Sequence, residues 1–354
     1  MRPRLRAGLI GLAFAALSGI SHPAAASLAQ LTNLFVFGDS LSDGGNSGLR
    51  TQQYTGNPAA VFPPPPYSNG QYSNGPVAVE YLWNSYNPGN PNGFAPSLSP
   101  GGGTNYAIGG ATTGTANYNT VNGSVPDPLK PAFDGYGNVG QIQQFLAGSP
   151  AFNAATSLFV VWLFPNDVFA ASATPPLPAG AVPPYPGSAN LVENGIGNIL
   201  TTIQILAANG AQHFLVPNMP DLGLTPEFIG KPESPFLSGL TAAFNINLAS
   251  ELSNLDQLLA AEIVQFDTSA AFAQVRANPG AFGFENTTES CVANLQNGRC
   301  NPSKWMFWDG VHPTTATHAL LGAQFRAAVP EPASVVLLAI ALLALVRMRR
   351  QTRA

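Results

Sequence analysis

Charge is scarce in this chain. Only 9% of its 354 residues are Asp, Glu, Lys or Arg, and the basic ones crowd the ends. Arg2, Arg4 and Arg6 open the chain and Arg347, Arg349, Arg350 and Arg353 close it, which leaves seven of the 14 basic residues between them. That body is clearly acidic. It has no basic stripe with which to hold a phosphate backbone, so nucleic acid is excluded as a partner. Cysteine is nearly absent: the 2 are Cys291 and Cys300. No histidine or third cysteine stands near them at ligand spacing, so no metal site is expected. Their short separation suits a disulfide, provided the protein is exported. The run Gly101-Gly102-Gly103 has no Lys-Ser/Thr behind it and does not read as a phosphate loop. No cofactor is expected.

The ends supply the export context. Behind the first arginines, Ala7 to Ile20 is apolar and Ala24-Ala25-Ala26 offers a small-residue cleavage site. Residues 1–26 therefore read as a secretory signal peptide. At the other end Ala333 to Val346 is uninterrupted and apolar. It is shorter than the roughly 20 residues of an ordinary transmembrane helix, although snorkelling arginines make up part of the gap. The terminal arginines should stay cytoplasmic and leave everything upstream outside. Val329-Pro330-Glu331-Pro332, then the apolar run, then the basic cluster, resembles the PEP-CTERM sorting signal of Gram-negative bacteria. The resemblance implies signal peptidase and an exosortase-type enzyme as partners. It also implies transient inner-membrane anchoring and a destination at the cell surface, outer membrane or extracellular matrix. The expected organisation is a signal peptide (1–26), a main domain (27–328) and a sorting tail (329–354).

Within the body, short β-rich runs alternate with helical patterns. Strands are expected at 33–38, 104–108, 158–163, 213–216 and 263–266. Helices are expected at 76–86, 140–146, 192–206, 236–260 and 314–329. Alternation of this kind predicts an open parallel α/β sheet of about five strands with helices on both faces. Ligands then bind beyond the carboxyl ends of the strands. Ser40 follows the first strand, Gly109-Gly110 the second and Asn166-Asp167 the third, so one edge should gather all of them. The Pro-, Gly- and Asn-rich segments 48–75, 115–138 and 170–188 would form its lips.

Ser40 sits in the turn FVFGDSLSDGGN. A serine hydroxyl is a poor nucleophile until a base takes its proton, and the base is usually a histidine oriented by a carboxylate. Of the 4 histidines, His22 leaves with the signal. His213 opens an apolar strand as a packed residue, and His318 lies inside the last helix as a structural or solvated one. His312 remains, with Asp309 three residues before it in WDGVHP. Tetrahedral oxyanions need donors. The Ser40 N–H, the Gly110 N–H and the Asn166 amide are the candidates.

The blocks GDSLSDGGN, NYAIGGAT, PND and DGVHP, with QYSNGP and VPNMPDLGLTP, resemble those of the GDSL (SGNH) esterases and lipases. The resemblance covers nearly all of 31–328. It implies a flavodoxin-like three-layer α/β/α sandwich with Ser40 as nucleophile, His312 as base and Asp309 as its orienter. Ser40, Gly110 and Asn166 form the implied oxyanion hole. The G-x-S-x-G elbow of α/β-hydrolases is absent around Ser40. One position departs from the pattern: the family usually has Gly two residues before Asn166, and here it is Phe164. A bulky side chain there would narrow the cleft or re-aim Asn166. Two classes of function follow. The first is an exported serine esterase or lipase acting on lipid or acylated-polysaccharide esters. The second is a non-catalytic surface or biofilm-matrix protein on the same scaffold, which a p-nitrophenyl ester assay separates from the first.

Overall fold

The computed structural model describes residue 28, residues 30–173 and residues 190–329. The expected signal peptide, most of the 170–188 segment and the tail beyond Val329 lie outside the described residues. Among the described residues no helix is long and apolar enough to cross a membrane.

Four parallel strands form the main sheet: β1 (Asn33–Gly38), β2 (Ser157–Trp162), β3 (His213–Pro217) and β4 (Glu262–Phe266), in the order β1-β2-β3-β4. The strand expected at 104–108 is present as an extended edge segment outside β1. Val36 N–H donates to Thr104 O at 3.0 Å, Tyr106 N–H to Val36 O at 2.8 Å and Ile108 N–H to Gly38 O at 3.2 Å. Counting that segment, the spatial order is the 2-1-3-4-5 of flavodoxin-like sheets.

The helices are α1 (Asn46–Thr55), α2 (Ala78–Tyr86), α3 (Asn138–Gly148), α4 (Pro165–Ser172), α5 (Leu191–Ala208), α6 (Ser234–Leu258), α7 (Thr268–Ala277) and α8 (Thr315–Ala328). Strand alternation sorts them into two layers, because successive side chains point to opposite faces. Phe35, Phe37, Phe159, Val161, Phe214 and Val216 pack with α3, α5 and α6, through residues such as Phe145, Ile203 and Phe244. Leu34, Val36, Leu158, Val160 and Leu215 pack with α2, α7 and α8, through Leu82, Phe272 and Phe325. The result is the expected three-layer α/β/α sandwich.

Three helices, α1, α4 and α7, fall outside the sequence reading. Helix α1 begins a stretch expected to be a cleft lip. Its sequence NSGLRTQQYT is poor in apolar residues, and it forms because the Asp43 carboxylate accepts from Asn46 N–H at 2.6 Å and Ser47 N–H at 3.2 Å. This is an N-terminal cap supplied from outside the helix. Helix α7 starts where the Asp267 side chain accepts from Ala270 N–H at 2.9 Å. A small parallel pair, β5 (Asn286–Ser290) and β6 (Trp305–Phe307), precedes the loop that carries Asp309 and His312.

Candidate active site

Register brings the candidate residues to one edge. Gly38 at the end of β1 lies opposite Trp162 at the end of β2, and Ile108 is bonded to Gly38. Ser40, Gly110 and Asn166 each follow within four residues. Helix α3 pins the end of β1: the Gln141 amide accepts from Gly38 N–H at 2.9 Å and donates to Gly38 O at 2.7 Å. The Asp39-Ser40 turn is closed by Leu41 N–H donating to Asp39 Oδ1 at 3.0 Å and Ser42 N–H to Asp39 O at 3.1 Å.

His312 and Asp309 reach this turn from the far end of the chain. Ser40 Oγ lies 2.8 Å from His312 Nε2, and His312 Nδ1 lies 2.7 Å from Asp309 Oδ2. With Nδ1 protonated, the serine hydroxyl donates to Nε2 and Nδ1–H donates to the carboxylate; this tautomer is assigned from the network. The other oxygen of Asp309 accepts from Val311 N–H at 2.9 Å and His312 N–H at 2.8 Å. Burial pushes the Asp309 carboxyl up, but His312 and these two backbone donors outweigh it and hold it below the usual carboxylate range.

Upstream of Asp309 the chain is held by the cystine loop. Cys291 and Cys300 lie with Cα atoms 5.1 Å apart and their sulfurs bonded in the structure. Cys291 N–H donates to Phe307 O at 3.1 Å and Val292 N–H to Trp308 O at 2.7 Å, directly before Asp309.

The expected oxyanion donors occupy the other wall. Gly110 has φ +80°, and a Cβ there would collide with Asn117 Oδ1, so both backbone angle and space demand glycine. Among the described residues no acceptor takes the backbone N–H of Ser40 or of Gly110. Asn166 lies in the first turn of α4, only 5% exposed, with its side-chain amide facing the Asp39 carboxyl.

Phe164 corrects an expectation. Its φ of +123° turns the side chain away from the cleft. The ring is fully buried between α5 and α6, stacked on Phe244 with centroids 3.9 Å apart and planes at 2°. Gly195 on α5 leaves the room it occupies, since a Cβ there would strike the ring. The Phe164 ring therefore lies in the core and not in the cleft. The residue takes the backbone angle that glycine would take.

Among the described residues the other two histidines are buried outside the Ser40–His312–Asp309 path. His213 is 2% exposed with Nδ1 3.1 Å from Glu262 Oε2, at the sheet edge opposite the site. His318 is 1% exposed and accepts at Nδ1 from Ala78 N–H at 3.2 Å. Burial, then the charge of His312, lowers its pKa to about 3, so it stays neutral.

Several polar side chains to which sequence reasoning gave no role build the site. Asp43 Oδ2 accepts from Gly109 N–H at 2.8 Å and Ser47 Oγ at 2.5 Å, tying the Ser40 loop to the Gly110 loop. Asp167 accepts from Thr113 N–H at 2.9 Å and Thr113 Oγ1 at 2.6 Å, tying α4 to that same loop. Tyr72 packs its ring 5.0 Å from the His312 ring and accepts from Asn119 Nδ2 at 2.7 Å. Tyr67 donates its hydroxyl to Asp309 Oδ2 at 2.8 Å. Asp43 and Asp167 adjoin recognised motifs and were findable there; Tyr67 and Tyr72 sit in Pro- and Gly-rich sequence without a local signal.

The chain is similar to several known proteins. A family model described as GDSL-like Lipase/Acylhydrolase matches residues 34–325. Esterase EstA of Pseudomonas aeruginosa is 27% identical over 350 residues, covering 86% of this chain and 48% of that protein. Phosphatidylcholine-sterol acyltransferase of Aeromonas hydrophila is 25% identical over 354 residues, covering 86% of this chain and 92% of that protein. A solved acetylxylan esterase from Geobacillus stearothermophilus, a catalytic mutant, shares 13% identity at a TM-score of 0.43 over 86% of this chain and 97% of its own. The chain spans about half the length of several curated relatives it matches, EstA among them.

Proposed function

The chain belongs to the GDSL-like lipase/acylhydrolase family, and from that premise we propose that it hydrolyses carboxylic esters through an acyl-enzyme on Ser40. The observation that carries this reading is the continuous path from Ser40 Oγ through His312 to Asp309, at 2.8 and 2.7 Å.

In the proposed reaction Ser40 Oγ attacks the ester carbonyl as His312 Nε2 takes the hydroxyl proton. Asp309 holds the imidazole in the required tautomer and stabilises the imidazolium. Negative charge collects on the former carbonyl oxygen, where the N–H groups of Ser40 and Gly110 and the amide of Asn166 are its donors. His312 then protonates the leaving alcohol. Water, deprotonated by the same imidazole, releases the acid and restores Ser40. No step calls for a metal or cofactor.

Lipid esters and acylated polysaccharides are the proposed substrates. The name of the Aeromonas relative refers to acyl transfer involving phosphatidylcholine and a sterol, which supports the lipid alternative. The proposal includes export: removal of residues 1–26, then sorting through the tail from Val329 onward by an exosortase-type enzyme, to the surface or matrix of a Gram-negative cell. In support, the buried Val329 closes α8 through a 3.1 Å bond from its N–H to Phe325 O, directly before the Pro-Glu-Pro segment in sequence.

The decisive assay is hydrolysis of p-nitrophenyl esters by residues 27–329. Ser40→Ala should abolish it with the thermal melt unchanged. Asn166→Ala should slow turnover roughly 10²–10³-fold, the usual loss of one oxyanion donor. Residual Ser40→Ala activity above about a tenth of the parent's would overturn the assignment, since loss of an activated nucleophile removes orders of magnitude.

A further inference from the structure

Asp309 receives four donors, and the fourth is not part of the Ser40–His312–Asp309 path. Oδ1 takes the backbone N–H groups of Val311 and His312. Oδ2 takes His312 Nδ1 at 2.7 Å and, from a loop 242 residues earlier, the Tyr67 hydroxyl at 2.8 Å. The same carboxylate oxygen thus serves both the imidazole and the phenol.

Tyr67 is itself firmly seated. Its backbone N–H donates to Pro64 O at 3.2 Å, and its ring meets Trp308 edge-on, centroids 6.0 Å apart and planes at 90°. Trp308 directly precedes Asp309, so ring and hydroxyl grip two successive residues of the loop. Burial first, then the Asp309 charge, pushes the phenol well above its ordinary range. It therefore remains a donor at every pH at which an esterase works.

We propose that Tyr67 is a positioning residue for ester hydrolysis: it fixes the Asp309 carboxylate against His312 and withdraws part of the negative charge that the imidazole feels. This rests on the reading of Ser40, His312 and Asp309 given above. The physical argument is a competition. An oxygen that accepts two hydrogen bonds shares its charge between them, so removing the phenol donor leaves the imidazolium better stabilised. His312 would then hold its proton to higher pH, and the neutral base needed to activate Ser40 would appear later.

Other ionisable groups face this imidazole. Asp39 from the turn after β1, Tyr72 from the loop beyond Tyr67 and His318 from α8 all surround it. Glu227, whose N–H donates to Gly310 O at 2.7 Å, lies beside the same loop. None of them changes in Tyr67→Phe, so a shift in the His312 titration reports the lost hydroxyl.

The test is Tyr67→Phe, which keeps the ring on Trp308. Its pH profile of kcat/KM should show the acid limb moved up by about half to one pH unit, with kcat at the optimum down roughly 5–10-fold and KM nearly unchanged, as for loss of one hydrogen bond to a charged group. NMR titration of the His312 ring should move in the same direction, and that readout needs no turnover. In an Asp309→Asn background the further effect of Tyr67→Phe should largely vanish, because the two act through one contact. An unmoved acid limb and an unmoved His312 titration would overturn the inference, as would a loss that persists undiminished beside Asp309→Asn. Failure of the underlying reading looks different: no ester is hydrolysed by the parent chain, while the NMR comparison still reports on the contact. Tyr67→Leu, which also removes the ring, serves as the structural control. If Tyr67→Phe merely reproduced its melting-temperature loss without a pH shift, Tyr67 would be a packing residue only.

Discussion

Replacing Phe164 separates two opposed forces at one position. Its φ of +123° is one that L-residues with a Cβ rarely adopt, at a cost of about 1–2 kcal/mol relative to glycine. Against that stands a fully buried ring stacked on Phe244 at 3.9 Å, and removing such a ring typically costs about 3–5 kcal/mol. Phe164→Ala loses the ring and keeps the strain, so it should destabilise by the full ~3–5 kcal/mol. Phe164→Gly loses the ring but relieves the strain, less glycine's extra chain entropy, so it should be milder than the alanine variant by about 1 kcal/mol. Equilibrium urea unfolding of the two variants measures the difference. Because the ring faces α5 and α6 rather than the cleft, neither variant should exceed the parent in ester turnover. An alanine variant as stable as the glycine variant would refute the strain argument. A gain in kcat from Phe164→Gly would show that the ring does crowd Asn166 after all.

Three further outcomes are expected. Gly110→Ala forces a Cβ against Asn117 Oδ1 at φ +80°, displacing the N–H proposed as an oxyanion donor, so kcat should fall on the order of 10²-fold; a loss under threefold would remove Gly110 from the proposed hole. Burial raises Asp39 and Glu80 to about 7 and Asp167 to about 6. Folded values above the unfolded ones mean stability is fullest below about pH 4 for these groups and is lost as pH rises through 6–7. Thermal melts of the Ser40→Ala chain should therefore decline from pH 5 to pH 8, and a rising curve would contradict the assignment. Peptide mapping without reductant should find Cys291 joined to Cys300, and Cys300→Ser should cost about 2–3 kcal/mol by loop entropy; free thiols in protein purified without reductant would exclude the link.

What the sequence by itself determined is local. Apolar runs bounded by turn residues marked β1, β2 and β3, because a buried parallel strand needs little besides continuous hydrophobicity, and the short run Ile263-Val264 marked β4 at the sheet's outer side. Ser40, Asp309 and His312 were readable because each sits in a tight turn whose residue order reflects backbone demands within a few positions. Helix α1 escaped notice because its start depends on the Asp43 carboxylate rather than on an apolar stripe. The direction of Phe164 was not legible in the sequence because side-chain direction follows φ and ψ, and only the folded chain shows that this residue adopts a φ of +123°. Tyr67, Tyr72 and the shared loop partners of Asp43 and Asp167 belong wholly to the tertiary structure. Tyr67 meets Asp309 across 242 residues, and no periodicity or spacing encodes such a contact. It exists because the sheet order places the chain beyond β1 against the loop before α8, and that order is a property of the packed layers.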